Sequence, residues 1–512
     1  TDFAFIERLA AEEGWYYYFD HHPDRHTLRF GHRSTASPVL GTLTYNATPA
    51  GDRHFACLWQ FEYSRKLTIT RQTLRDYTFL NPNYHLEHQH NSSPIPSQSA
   101  VNSADVSSLS ASSTSSPSPD YEKYDYPGRY KRDEQGRPFS LYRLEAELAL
   151  SETARACGDD MRVIPGYGFT LEGHHTGAFN QDWLVVRVEH QGYQTGVLEE
   201  EAGETGNRYE NHLFLIPHHK PWRSPQKPRP IIRGAQVAHV AGPQGEEIYC
   251  DEWGRVKLQF PWDRQGNFDE HSSCWIRVVQ GWAGAQYGNM MIPRIGDEVL
   301  VKYLHGDPDH PIVIGRTYHS TTEPPYTLPE HKTRTTIKSK SHKGNGFNEL
   351  RFEDEKGQEE IFIHAEKDLN HIVKQDETTQ IGNDRTEQVN RNETLNIGNN
   401  RTETVAQDEA LTINRDQTRN IGRNRITKIE KDDILNVNNS RYVNVHGDTI
   451  IHVGNELNIE VAQNGSWHAG ELLEQICEEF DLEGYETVEI SGPGGSIIID
   501  REGITLVGGC VC

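Results

Sequence analysis

Between residues 373 and 461 the apolar positions keep a fixed beat. Val373, Ile381, Val389, Ile397, Val405, Ile413, Ile421, Ile429, Val437, Val445, Val453 and Val461 are all β-branched, and each follows the last by eight residues. Three residues after each stands Asp or Asn, at 376, 384, 392, 400, 408, 416, 424, 432, 448 and 464, with Ser440 and Glu456 the departures. A helix advances about 100° per residue, so an eight-residue repeat overshoots two turns by roughly 80° and draws no stripe. Coiled coil is excluded. In a strand, i and i−2 share a face, and Leu395, Leu411, Leu435, Val443, Ile451 and Ile459 sit two residues before the repeat positions. Each octad therefore reads as about five residues of strand and an Asx-type turn.

One such row cannot pay for itself in a single chain. Fixing eight backbones costs on the order of 8–16 kcal/mol, whereas burying one Val or Ile returns roughly 1.5–3 kcal/mol. Open strand edges would also run along its length. Three copies wound about one axis meet both demands: the rows fill a dry triangular prism and each strand pairs with another chain. At about 4.8 Å per step, eleven steps give a rod on the order of 50 Å long. A monomeric β-solenoid is the alternative, but self-closing coils carry several apolar positions each. The glycine-rich calcium nonapeptide is not present in the repeat.

Upstream the pattern changes. "FAFIERLAAEEG" predicts a short helix with Phe5, Ile6, Leu9 and Ala10 on one face and Gly14 as its stop. Strands are expected at Trp15 to Phe19, "HTLRFG" and "WLVVRVEHQGY". Residues 92–119 hold 13 serines in 28 positions and read as a disordered loop. The segment 217–230, with five prolines in 14 positions, marks a boundary. From 231 to 320, "AQVAHVAG", "RVKLQFPW", "CWIRVVQG", "NMMIPRIGDEVLVKYL" and "PIVIGRTY" suit a small five-stranded barrel. A neck rich in Lys, Thr and Glu occupies 321–372. After the octads, 462–512 holds an expected short helix (Leu472, Leu473, Ile476, Phe480) and two β-like runs, "SIIID" and "GITLVG".

Composition narrows the function. The chain has 512 residues, only 35% of them hydrophobic, and a net charge of −24. That balance opposes unspecific nucleic-acid binding and docking on anionic lipid. No apolar run reaches membrane-spanning length, so no stable insertion is expected, and the N-terminal residues show no signal-peptide pattern. The seven scattered cysteines suggest free thiols in a reducing cytosol.

"GPQGEEIYCDEWGRVKLQFPWDRQG" and "CWIRVVQGWAGAQYGNMMIPRIGDEVLVKYLHGDPDHPIVIGRTYH" closely resemble the oligonucleotide-binding-like (OB-like) barrel of VgrG proteins, the spikes of bacterial type VI secretion systems. "FIERLAAEEGWYYYF" resembles their phage-tail-hub-like domain, and the octads resemble their needle, related to the cell-puncturing spike of contractile phage tails. The resemblance implies a mainly β chain: a hub-like β-barrel domain over 1–216 that is N-terminally incomplete, a linker at 217–230, the OB-like barrel, the neck, an intertwined trimeric β-prism over 373–461, and a tip region. It also implies a homotrimer that caps a tube of stacked Hcp rings on a baseplate, with a PAAR-repeat tip protein and effectors at the C-terminal end. Such a spike assembles in the cytoplasm and is then secreted into the extracellular space or a target cell without a signal peptide. A contractile-phage or phage-like baseplate spike, and a tail-spike enzyme cutting envelope polysaccharide, are the rival readings.

Candidate chemistry is sparse. G-x-S-x-G, H-E-x-x-H and P-loop patterns do not occur, and no catalytic residue or cofactor is expected. "GNGFNE" at Gly344 reads as a turn. Cys510 and Cys512 are candidate soft-metal ligands or inter-chain cross-links in a trimer, with simple terminal packing as the alternative; Gly508, Gly509, Cys510, Val511 and Cys512 form the expected tip and partner-binding end. His88 and His90 form an H-x-H pair, and Asp251 with Glu252 a carboxylate pair, though nothing sets two carboxylates across a groove. Trp253, Trp262, Trp275 and Trp282 are expected in the small barrel's core or at trimer contacts, a sugar-binding platform being the alternative.

Overall fold

The computed structural model describes residues 1–48, 55–92, 121–194 and 207–509. The serine-rich expectation (from 93 onward) and Cys510, Val511 and Cys512 lie outside the described residues. The chain divides into two units, Thr1–Thr379 and Gln380–Cys512.

The first unit opens with a helix, Asp2–Glu12, capped by Thr1 Oγ1, which accepts from the Ala4 amide at 3.3 Å. Its buried residue is Ala11, whereas Phe5, Ile6 and Leu9 are exposed. An antiparallel hairpin follows, Tyr16–His21 with His26–Gly31. Six strands then close into a barrel, in the order Asp182–Tyr193, Arg208–Pro217, Glu152–Gly158, Cys57–Arg65, Val39–Tyr45 and Gly168–Glu172. Closure removes the edges. Leu58, Phe169, Leu171, Trp183, Val185 and Leu215 fill its interior.

A second layer was not legible beforehand. The sheet Leu86–Asn91, Arg71–Asp76 and Glu122–Asp125 is covered by a helix, Asp133–Ala149. Gly136 and Pro138 near that helix's start read as breakers, yet Gly136 is required there: a Cβ would lie 2.3 Å from the Tyr130 ring. Buried Tyr130 in turn lies 2.8 Å, through its hydroxyl, from the carbonyl oxygens of both Leu74 and Leu86.

Beyond Pro217, which ends a barrel strand, the proline-rich segment carries no helix or strand and is pinned as a strap. Arg223 donates to Glu145 at 2.6 Å and to the His32 carbonyl at 2.7 Å, and Gln226 donates to the Ala11 carbonyl. Arg229 forks onto Glu12 at 2.8 and 2.7 Å and reaches Asp307 of the next module at 3.3 Å. The fork geometry suits a carboxylate.

That next module is a five-stranded sheet ordered Lys257–Gln259, Gln236–Ala241, Glu298–Tyr303, Pro311–Thr317 and Arg277–Val278. Its two edges meet where Val256 and Ile276 exchange both backbone hydrogen bonds at 2.9 Å, which closes a small barrel. Small aliphatics fill it: Ala238, Val240, Val256, Leu258, Ile276, Val299, Val301 and Val313. A core role for the tryptophans is therefore corrected. Trp253, Trp262 and Trp282 are exposed and Trp275 half-buried, because the inward positions are taken by the aliphatics together with Phe260 and Tyr303. Beyond it stands an antiparallel sheet of Arg334–Lys338, Glu349–Glu353 and Glu360–His364.

The second unit carries the octads and ends in an antiparallel sheet, Val488–Gly492, Gly495–Asp500 and Gly503–Gly508. Through the octads the backbone bends after each apolar residue, at 382–383, 390–391, 398–399 and so on. Gly382, Gly398 and Gly422 occupy these corners two residues ahead of the Asx position, and Gly447 one residue ahead of Asp448. The bends continue at 470–471 and 478, so Ala469 and Cys477 extend the register two steps past Val461. The helix expected through Leu472, Leu473, Ile476 and Phe480 is thus a correction: the segment is extended. Its apolar spacing fits a helical stripe, but the eight-residue backbone rhythm overrides it.

Candidate functional site

The residues that need explaining from 334 onward are apolar ones without a core. In the octads every residue is exposed in the single chain, and neither a strand pairing nor a backbone–backbone hydrogen bond falls between 373 and 461. A self-closing solenoid would pair successive coils, so that alternative fails. Exposure nevertheless separates the faces. The twelve octad residues, Val373 through Val461, are 42–52% exposed and their i−2 neighbours Leu395, Leu411, Leu435, Val443, Ile451 and Ile459 58–70%, whereas Ile426, Ile434, Tyr442 and Ile450 on the opposite face are 73–92% exposed. The octad row is the inner side of the turn. Along the strand, Arg385 pairs with Glu387 at 2.7 Å and Arg401 with Glu403 at 2.9 Å. These i,i+2 pairs lie on one side of an extended chain.

The neck sheet repeats the theme and was not anticipated. Its register sets Ile337 opposite Leu350 and Leu350 opposite Ile363, with Phe352 opposite Ile361. Cross-strand partners share a face, so these five form one apolar surface, and Ile337, Ile361 and Ile363 are exposed. The other face is charged, and its buried carboxylates are hydrogen-bonded within the chain. Glu349 accepts from Thr336 at 2.9 Å and from Tyr326, and Glu353 from Thr333 at 2.5 Å and Arg334 at 2.7 Å. Hydrogen bonds from Thr333 and then Arg334 hold the Glu353 carboxyl down to about 2, from an ordinary 4.5. The alternation in "ELRFE" and "EIFIH" is the signal that could have revealed this face. The C-terminal sheet does likewise: Val488, Ile490, Ile497, Ile499, Ile504 and Leu506 share a face by register, and the last five are exposed. Gly508 ends its last strand and Gly509 follows.

The remaining candidates are occupied by local structure. His88 bonds Asp133 at 2.9 Å and His90 bonds Ser140 at 2.7 Å, so the H-x-H pair ties its strand to the helix. Asp251 accepts from the amides of Trp253 and Arg255 and pairs with the Arg255 guanidinium, closing its own loop. Glu252 contacts the Trp253 indole at 3.1 Å. Gly344 lies in the connection between two neck strands, where the Ser341 amide donates to the Gly346 carbonyl at 2.8 Å. Among the described residues Cys157, Cys250, Cys274 and Cys477 are in no disulfide, and no helix is long and apolar enough to cross a membrane.

Three family models match this architecture in order. Residues 1–196 match the phage tail baseplate hub, 249–318 the type VI secretion system/phage-baseplate injector OB domain, and 335–432 the bacteriophage T4 gp5 C-terminal trimerisation domain. The last span holds both the neck's apolar face and the octads up to Ile429. The chain is 43% identical over 382 residues to the actin cross-linking toxin VgrG1 of Vibrio cholerae, a match covering 74% of this chain and 33% of that protein. It is 47% identical over 358 residues to the type VI secretion system spike protein VgrG2a of Pseudomonas aeruginosa, covering 69% and 40%. With VgrG5 of the same organism it shares 39% over 402 residues, covering 76% and 48%. The chain thus spans between a third and a half of the length of these curated relatives. The Escherichia coli c3393 protein, a type VI secretion component, aligns with a TM-score of 0.37 at 14% identity, covering 62% of this chain and 60% of that one.

A baseplate-hub module, an injector barrel and a trimerisation needle on one chain define the class of phage-tail-like hub-and-needle proteins. Within that class the chain belongs to the VgrG family.

Proposed function

We propose that three copies of this chain form the spike of a type VI secretion system. The hub caps the Hcp tube above the baseplate, and the needle is driven through the target envelope. The C-terminal end carries a PAAR-repeat tip protein and effectors. The spike assembles in the cytoplasm and leaves with the contracting machine, and its role is mechanical rather than catalytic. One observation carries the reading: from residue 334 onward each described element presents an apolar side that nothing within its own chain covers. Three such surfaces meeting on an axis bury all of them at once. The inter-chain ladder then supplies the backbone partners that the octads lack. A rod paired in this way transmits force because no strand can peel off without breaking contacts in other chains.

Sedimentation of the full chain tests this directly. A trimer at micromolar concentration is expected, and a stable monomer would overturn it. Ile421→Asp would set three carboxylates against one another on the dry axis, where unpaired charge is expensive. Trimer content in that variant should fall by at least tenfold, and an unchanged trimer with an unchanged melt would count against axial packing.

A further inference from the structure

The outer face of the small barrel brings together three metal-ligating side chains that lie far apart in sequence. His239 pairs opposite Glu298 in antiparallel register, and Glu298 pairs opposite Thr317. Directly opposed residues share a face, and His319 is two residues beyond Thr317, so His239, Glu298 and His319 point the same way. Alternate residues Ala238, Val240 and Val299 point into the core. One ligand atom from each of the trio lies within 4.8 Å of the others, and all three residues are half-buried. We propose that this is a zinc site, filled by two imidazoles and one carboxylate.

The chemistry of the donors fits. Two His and one Glu form a set used at zinc centres with three protein ligands, leaving a fourth position for water. Donors around a tetrahedral zinc ion stand roughly 3.3 Å apart. The trio therefore draws in by no more than roughly 1.5 Å, within reach of small side-chain rotations.

The outer partners are also in place. His319 Nε2 is buried with no hydrogen-bond partner in the structure, which leaves that nitrogen open to an ion. Its other nitrogen, Nδ1, accepts from the Thr321 amide at 3.3 Å and lies 3.0 Å from Thr321 Oγ1, the oxygen that would take the Nδ1–H once an ion held Nε2. Thr317 Oγ1 donates to Glu298 Oε1, which leaves Oε2 for the ion. Phe268, in the left-handed region at φ 60°, lays its ring 6.4 Å from that of His239. An ion here would fasten the barrel's first strand to the segment that leaves its last long strand, across the strand between them. The argument rests on the barrel alone and stands whether or not the chain forms a spike.

Zinc titration of the EDTA-stripped full chain, read by a competing chromophoric chelator, tests the site. Co2+ absorption then serves as a second readout of an imidazole–carboxylate environment. One zinc ion per chain is expected, with affinity lowered at least tenfold in His239→Ala and in Glu298→Gln. Glu298→Gln is close to isosteric, so it guards against loss through misfolding, and an unchanged circular dichroism spectrum checks each variant. Zinc should also raise the melting temperature of the wild type, because it binds only the folded barrel. His21→Ala breaks the exposed His21–His26 pair and should leave stoichiometry unchanged. Absence of binding up to millimolar zinc overturns the site, as does binding of equal affinity in Glu298→Gln and His239→Ala.

Discussion

Glu353 shows how a single residue of the neck is tuned. Two neighbours hold its carboxylate, Thr333 at 2.5 Å and Arg334 at 2.7 Å, and its carboxyl is held down to about 2. A depressed carboxyl stabilises the fold fully above its unfolded value near 4.5, and the contribution is lost as pH falls from there through about 2. Glu353→Gln should therefore melt below the wild type at neutral pH, and the gap should close as pH is lowered through that window. Melting curves at pH 7, 4 and 2 check this; a gap that stays constant would mean that charge is not what holds the contact. Residues of this kind are poorly legible beforehand. Glu353 is one of 75 acidic residues, and only strand register places it beside Arg334. The same limit hid His239, Glu298 and His319, whose separation along the chain has no pattern. The octad rhythm was legible for the opposite reason, since β-branched side chains recur at a fixed interval and the backbone bends at that same interval.

Among the elements, the neck sheet is the most informative, because its two faces make opposite demands. Three short strands cannot bury an apolar face alone, yet Ile337, Leu350, Phe352, Ile361 and Ile363 form one. Ile363→Asp should shift the chain from trimer toward monomer, at a cost on the order of several kcal/mol for each carboxylate forced into an apolar contact. Lys338→Ala, on the charged face beside Glu349, should leave the trimer in place. Light scattering on both variants decides; equal behaviour would show that the apolar face is not an interface. Element type was legible where periodicity was strong. "HTLRFG" forms the His26–Gly31 strand residue for residue, and the five β runs of the small barrel each contribute a strand. It failed where local pattern and tertiary context disagreed. The Asp133–Ala149 helix accepts Gly136 because Tyr130 crowds it, and Leu472 to Phe480 offer a helical stripe in a segment that keeps the octad rhythm.

At the scale of the whole molecule, residues 373–461 find no backbone partner within their own chain, which ties their order to association. The octad amides have no backbone acceptor in their own chain, so any protection from solvent exchange must come from other chains. In the assembled protein, hydrogen exchange across 373–461 should be slow, comparable to the Asp182–Tyr193 and Arg208–Pro217 strands of the hub barrel, whose partners lie within the chain. In Ile421→Asp the hub strands should keep their protection while the octads exchange at the rate of unstructured peptide. The contrast separates two explanations that sedimentation alone leaves joined. A trimer held only through its hub or neck would still sediment as a trimer, but its octads would exchange freely. Slow exchange over all eleven steps would show that the ladder itself is formed between chains, and free exchange in the wild type would leave the needle without its mechanism.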